Sequence, residues 1–546
     1  MSLPLYFRTI RYLRPIQIYG RVARRLYSAP IDSSPPPAVR PLTGEWVEAA
    51  VKEVRMLGPA RFRFLNHERE VSDAEAWNDP EAEELWLYNL HYFEDLNAKD
   101  AGTRREWHVS LLKRWIDENP ALAGAGWDPY PVSRRILNWI KWALAGNELS
   151  DELRQSLATQ TRYLSKRIEI HLLGNHLLAN ATALLFSGFF FDGEEADRWR
   201  SKAHGILTRE LDEQILPDGG YFERSPMYHS IILEDLLDCI NLTRAYGESD
   251  GALAMAMFDK ATSMLQFLCD ILHPDGEVPF FNDTALNIAA SPTDLKSYAG
   301  RLDIRPRNAK SVSIAAKRDS GLWIIAESDV RMIINAGPIG PDYLPGHAQC
   351  DTLSFEMTVL GRRFIVNSGV YTYQGTERNL FRATAAHNTV RIDGEEQHEI
   401  WANFRVARRG YPVDVQARDS HGVLLFSAAH TGYQRLKGRP LHRRRISCEA
   451  NTWTIEDNIE GSGIHEAESF VHLHPQARIV EAGPTTVHCL VADRAVTIET
   501  IGGETRVESG YYSPEFGKKH ENKVLVMRKK GSVPFSMAYR IVVKPL

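Results

Sequence analysis

One change of rhythm constrains this 546-residue chain more than any other feature. From about Trp86, apolar residues recur every three to four positions in the segments 107–118, 132–145, 152–169, 176–190, 195–215, 227–246 and 252–272. Gly, Pro, Asn and Asp break the pattern between them, so seven consecutive helices with no intervening strands are expected. Near residue 311 the period drops to two. SVSIAAK, GLWIIAES, VRMIINAG, LSFEMTVLG and RRFIVNSG open a series of roughly fifteen short β-branched stretches with turn residues between them and no helices. Helices of similar length pair as hairpins in a bundle, solenoid or toroid, and strands without helices stack as antiparallel sheets. The expected class is multidomain α+β, with a helical N-terminal domain and a large C-terminal antiparallel β-sandwich. The boundaries fall at 1–41 for a basic segment with a proline-rich joint, 42–310 for the helices and 311–546 for the sandwich.

Composition narrows the partners. The fractions of hydrophobic (43%) and charged (25%) residues are those of a folded globular chain. A net charge of −5 without a basic stripe gives no pull toward nucleic acid. Five scattered cysteines without a CxxC pair suggest neither a disulfide framework nor a cysteine zinc site. No run reaches the length of a membrane span. Residues 1–27 carry six arginines among Leu, Ile, Tyr and Phe and lack a secretory pattern, so a cytoplasmic location is the default expectation. Two readings of that segment remain: a helix packed on the main body, or an amphipathic helix touching anionic lipid, with a periplasmic or membrane-associated protein as the alternative location.

Four segments carry the polar groups that chemistry needs. In Gly346–Glu356, polar residues stand where a strand should be apolar, and in an extended chain His347, Gln349 and Asp351 share one face. Burying three such groups costs several kcal/mol unless they satisfy one another or face a wet cleft. In HLLGNHLLAN (171–180), Asn175 and His176 open an apolar helix whose N-terminal dipole favours an anion; an N-cap asparagine beside a packed histidine is the plainer reading. In DGGYFERSPMYH (218–229), a Ser-Pro start puts Tyr228 in the first helical turn, either as an aromatic anchor or as a proton donor. In RNLFRATAAHNTV (378–390), Arg378 and Arg382 have the fork geometry that pairs with carboxylate or sulfate, although arginines beside loops are usually solvated. His91, Tyr92 and Trp127 lie near helix ends where rings stack on sugars, and Arg135 and Asn138 follow the WDPYP turn toward the same cleft. Glu223 joins them as a substrate contact.

These four segments, with WLYNLHYFEDL (86–96) and WDPYPVSRRILNWIKW (127–142), resemble the heparinase II/III-like polysaccharide lyases over roughly residues 85–475. The resemblance implies an (α/α) toroid followed by a β-sandwich, a bacterial source, and β-elimination next to a uronic acid in an acidic polysaccharide or oligosaccharide. It implies Asn175 and His176 on the substrate carboxylate, Tyr228 as base, acid or both, and His347 as its complement. No cofactor is implied for the chemistry. Members with a structural zinc use positions that read Gln349, Asn367 and His387 here, and two neutral amides are poor zinc ligands. A metal-free hydrogen-bond cluster or a harder cation held with Asp351 are the alternatives. Two other functions stay open: a sugar-binding or exopolysaccharide-assembly protein without catalysis, and a glycoside hydrolase using carboxyls from Glu223, Asp283 and Asp351.

Overall fold

The computed structural model describes residues 3–306, 313–492 and 494–544, so the expected 310/311 boundary and the first two residues of SVSIAAK lie outside the described residues. Each of the seven expected helices is present, at Arg105–Glu118, Pro129–Leu144, Asp151–Lys166, Gly174–Phe190, Glu194–Gln214, Pro226–Ala245 and Ala252–Ile271. Their burial alternates. Pro129–Leu144, Gly174–Phe190 and Pro226–Ala245 are buried along almost every face, while Asp151–Lys166, Glu194–Gln214 and Ala252–Ile271 bury one stripe. The first three therefore form an inner ring and the other three an outer one, which is the toroid pattern. Trp77, Trp115, Trp139 and Phe186 belong to one continuous hydrophobic core of the helical half.

The sheets described for the second half pair antiparallel. A five-stranded sheet runs in sequence order from Ile314–Lys317 to Arg362–Ile365. An eight-stranded sheet begins with Pro412–Ser420 at one edge, carries the last strand, Phe535–Val543, between Thr452–Glu460 and Arg494–Ile501, and ends at Arg478–Ala482. A four-stranded sheet joins Glu504–Glu515, Lys518–Ser532, Ile464–His472 and Val390–Ile392. Trp323, Met357, Phe426, Trp453, Ile455, Val471 and Met527 from these sheets meet in one core. Pairing is in register where alternation was clearest: Ile446 faces Ile455, which faces Tyr539 on its other side.

Two expectations need correction. The strand-rich half is not free of helix: Gly375–Arg382 is one, because Arg378, Phe381 and Arg382 fall at i, i+3 and i+4 and are buried together. The stretch from His347 to Ser354 is a loop rather than a strand, and regular pairing starts at Phe355. The two-residue alternation nevertheless holds within that loop. His347, Gln349 and Asp351 all turn toward the segment Asn282–Asp283.

Candidate active site

A cleft of ≈ 600 Å³ lies between the inner ring and the sandwich. On the helical side, Ser225 caps the helix Pro226–Ala245: its hydroxyl accepts from Tyr228 N at 3.2 Å and donates to Asp283 O at 2.5 Å. With Pro226 at the first helical position, this start fixes Tyr228 one turn in, facing the cleft. The helix Gly174–Phe190 begins after Leu173 at φ 66 and Gly174 at φ 55. A Cβ on Gly174 would meet Leu344 Cδ2 at 2.3 Å and Glu223 Oε1 at 2.6 Å, so only glycine lets the chain turn this close to the opposite wall. Directly after it, Asn175 donates to Glu223 Oε1 from both its backbone N (3.0 Å) and its Nδ2 (3.1 Å). Tyr221 donates its hydroxyl to the same oxygen at 2.8 Å, which fixes the carboxylate.

On the sandwich side, His347 enters the cleft from the loop. Its Nδ1 lies 3.1 Å from Asp283 Oδ2; its Nε2 lies 3.4 Å from Asn175 Nδ2 and 3.3 Å from Glu223 Oε2. The Tyr228 ring stacks on the imidazole at 3.8 Å between centroids, and its hydroxyl is 3.3 Å from that of Tyr373. Burial, together with the Tyr373 hydroxyl, holds the Tyr228 phenol protonated well above its ordinary range. Asp283 behaves in the opposite way. Burial alone would raise it, but the Arg378 fork at 2.5 and 2.6 Å and the His347 ring hold it well below the usual carboxylate range. An ionised Asp283 accepts from Nδ1–H and leaves Nε2 directed at Asn175 and the cleft.

His176, half-buried and also lining the cleft, packs at a tilt against the Tyr130 ring at 4.7 Å and pairs with Glu169 at 3.1 Å. Its burial would lower its proton affinity, but Glu169 outweighs that and raises it. The structure therefore brings Asn175, His176, Tyr228, His347 and Glu223 into one cleft, with Tyr92 in its wall. Positive side chains from Arg21, Lys52, Arg134, Arg405 and Arg409 outnumber the acidic Glu84, Glu94 and Glu223 along the lining.

Six expected substrate contacts lie elsewhere. Arg378 and Arg382 are fully buried; the first holds Asp283, and the second binds the carbonyls of Ala348, Ala402 and Asn403, with burial pushing it down to about 10. Arg135 spends its donors on Gln160 Oε1 and the carbonyls of His91 and Gly126. Asn138 donates to Tyr92 O. His91 is enclosed between Trp77 O and Trp115 Nε1, and burial pushes it down to about 3. Trp127 packs against Trp115 and Tyr163. His91, Arg135 and Asn138 sit on helix faces aimed at the toroid core, and Arg378 and Arg382 on the buried face of Gly375–Arg382, which one-dimensional proximity to a turn does not reveal.

Of the positions compared with zinc ligands, His387 contacts Asn367, whereas Gln349 bonds to Asp283. Gln349 Nε2 donates to Asp283 Oδ1 at 2.9 Å, Asn367 Oδ1 accepts from Ser354 Oγ at 2.6 Å, and His387 Nδ1 lies 3.3 Å from the same Asn367 oxygen. Gln349 Oε1, Asn367 Nδ2 and His387 Nε2 are buried without partners. No group of three or more His, Cys, Asp or Glu suited to a metal occurs among the described residues. Two neutral amides beside a single histidine are a poor donor set for a structural zinc, which takes thiolate, imidazole or carboxylate ligands.

Two family models cover residues 38–540 of this architecture: Heparinase II/III N-terminus matches residues 38–310, and Heparinase II/III-like, C-terminal matches 309–540. The chain belongs to the heparinase II/III-like family. Among curated proteins, this heparinase II/III-like chain is 25% identical over 416 residues to a heparin-sulfate lyase of Bacteroides stercoris, covering 69% of this chain and 59% of that one. It is 27% identical over 352 residues to the heparin-sulfate lyase of Pedobacter heparinus, covering 57% and 51%. It thus spans between half and three-fifths of those relatives' lengths. In fold it resembles a heparinase III crystal structure with a TM-score of 0.69 at 18% identity, covering 98% of this chain and 85% of that one. The heparan sulfate lyase HepC of Pedobacter heparinus superposes with a TM-score of 0.60 at 19% identity, covering 89% and 81%.

Proposed function

We propose that this chain is a polysaccharide lyase that cuts a uronic-acid-containing polymer, a glycosaminoglycan or a bacterial exopolysaccharide, by β-elimination. The observation that carries the reading is the meeting of Tyr228 and His347, stacked at 3.8 Å, with Asn175 within 3.4 Å of the His347 Nε2. Those three residues come from two helix starts and a sandwich loop.

The uronate carboxylate approaches Asn175 Nδ2 and His176, whose donors stabilise the enolate-like charge that develops when C5 loses its proton. His347 Nε2 takes that proton, since Asp283 occupies Nδ1. The C4–O4 bond then breaks with its electron pair going to O4. Tyr228, protonated at rest, delivers the phenolic proton to O4 as the C4–C5 double bond forms. Loss of the proton from His347 Nε2 to water and uptake of a proton from water by the Tyr228 phenolate restore the site. No step draws on a metal; Gln349 braces Asp283 and His387 braces Asn367.

Hydrolysis needs two carboxyl groups flanking the bond. Of Glu223, Asp283 and Asp351, only Glu223 lines the cleft. Asp283 is locked to Arg378, while Asp351 is buried against Asn282 N and pushed up to about 7 by burial. The test is an ultraviolet absorbance screen against heparan sulfate, hyaluronan, chondroitin, alginate and bacterial exopolysaccharides. Rising absorbance from the conjugated double bond supports the lyase; new reducing ends without it would replace the lyase reading with hydrolysis.

A further inference from the structure

The helices Leu3–Ile10 and Pro15–Leu26 precede the span that the family models match, and they sit on the molecule with their polar side down. Arg8 pairs with Glu399, and Thr9 Oγ1 accepts from Trp401 Nε1 at 3.0 Å. Gln17 donates to Tyr343 O at 3.2 Å, and Gly20 lies so close to His171 that an added Cβ would meet its Cβ at 2.9 Å. Arg14 stacks on Tyr343 at 3.7 Å, and Arg24 lies 3.8 Å from Asp128. These contacts strap the two helices across both the helical and the sandwich walls.

The apolar side is left facing outward. Leu3, Phe7 and Ile10 fall at i, i+4 and i+7 of the first helix, with Leu3 86% and Phe7 71% exposed. Ile18, Val22 and Leu26 repeat the stripe on the second at i, i+4 and i+8, with Tyr19 beside them and Leu26 82% exposed. A helix packed on a globular body normally turns such a stripe inward, and an outward stripe of this size marks a contact surface.

We propose that this face docks on an anionic lipid bilayer, with both helices lying in the plane of the interface. Charge complementarity selects that partner. Residues 1–31 contain six arginines and no acidic residue, and Arg11 and Arg25 are exposed at the margins of the apolar stripes. Exposed Tyr19 and Tyr27 have the amphipathic rings that settle at headgroup depth. The opposite faces of the same helices supply Thr9, Gln17 and Arg21 to the cleft, with Leu13 from the turn between them, so docking holds the cleft against the membrane surface. This inference does not depend on the lyase reading.

The experiment is co-sedimentation of the full chain with phosphatidylcholine vesicles, with and without phosphatidylglycerol, at low and high salt. Binding is expected only to the anionic vesicles, weakening as salt rises. Phe7→Ser/Leu26→Ser should lower the partition coefficient at least about tenfold while Tm stays unchanged. Arg11→Gln/Arg25→Gln should flatten the salt dependence. Failure of the wild type to bind anionic vesicles, or equal binding by Phe7→Ser/Leu26→Ser, would overturn the proposal. So would a wild-type dimer in size-exclusion chromatography that this variant abolishes without any lipid binding, since the face would then be a self-interface.

Discussion

The two walls of the cleft are built by different physics. The helical wall places its groups by secondary structure: Asn175 and Tyr228 each stand in the first turn of an inner-ring helix, where caps and turn geometry set their direction. The sandwich wall has no such frame. His347 sits on a loop, and what aims it is a buried chain of charge from Arg378 through Asp283 to the imidazole Nδ1. Residues held by a helix start can lose a contact and keep their place, whereas a loop residue held by a buried ion pair depends on both partners.

That contrast can be broken or sharpened by substitution. The largest effect is expected where the walls meet. His347→Ala and Tyr228→Phe should each lower kcat by about 10²–10⁴-fold with far-ultraviolet circular dichroism unchanged; a rate near that of the wild type removes the residue from the mechanism. On the sandwich wall, Arg378→Met strands the Asp283 carboxylate in the interior and should cost about 3–5 kcal/mol in chemical denaturation. The same pair predicts a pH dependence. Because the folded state holds Asp283 below its unfolded value, its stabilisation is present above about pH 4 and is lost as pH falls through the depressed folded value. The Arg378→Met stability profile should lose that acid limb, and an unchanged limb would assign it to other carboxylates.

Smaller effects are expected on the helical wall. Gly174→Ala forces a Cβ against Leu344 and Glu223 and should cost about 1–3 kcal/mol, with kcat falling because Asn175 moves with the turn. A thermal melt and a rate measured together check both parts. Ser225→Ala should be milder, about 1 kcal/mol of stability with a modest loss of rate, because Pro226 and the rest of the helix keep Tyr228 in place. A loss of stability from Ser225→Ala as large as that from Arg378→Met would erase the difference between the walls.

The same contrast explains what the sequence disclosed. Helix periodicity, Ser-Pro starts and strand alternation are local, so the seven helices, the sheet-rich half and the positions of Asn175 and Tyr228 were legible. The alternation of His347, Gln349 and Asp351 was legible too, although their shared partner, Asn282–Asp283, lies more than sixty residues away in the chain. Asp283 was weighed only as a hydrolase carboxyl and Tyr373 not at all, because no local pattern links an acid in FNDT or a tyrosine in YTYQG to a loop of another element. Arg135, Asn138, His91 and Trp127 misled for the same reason: a turn nearby in sequence says nothing about which helix face points to the core.

The central claim, that the two walls form an elimination centre, is tested most directly by cleavage in ¹⁸O-labelled water. Elimination adds no water across the broken bond, so mass spectrometry of the products should show unsaturated non-reducing ends and no ¹⁸O incorporated by the cut. One ¹⁸O per cleaved bond with saturated ends would contradict the account and make the reaction a hydrolysis.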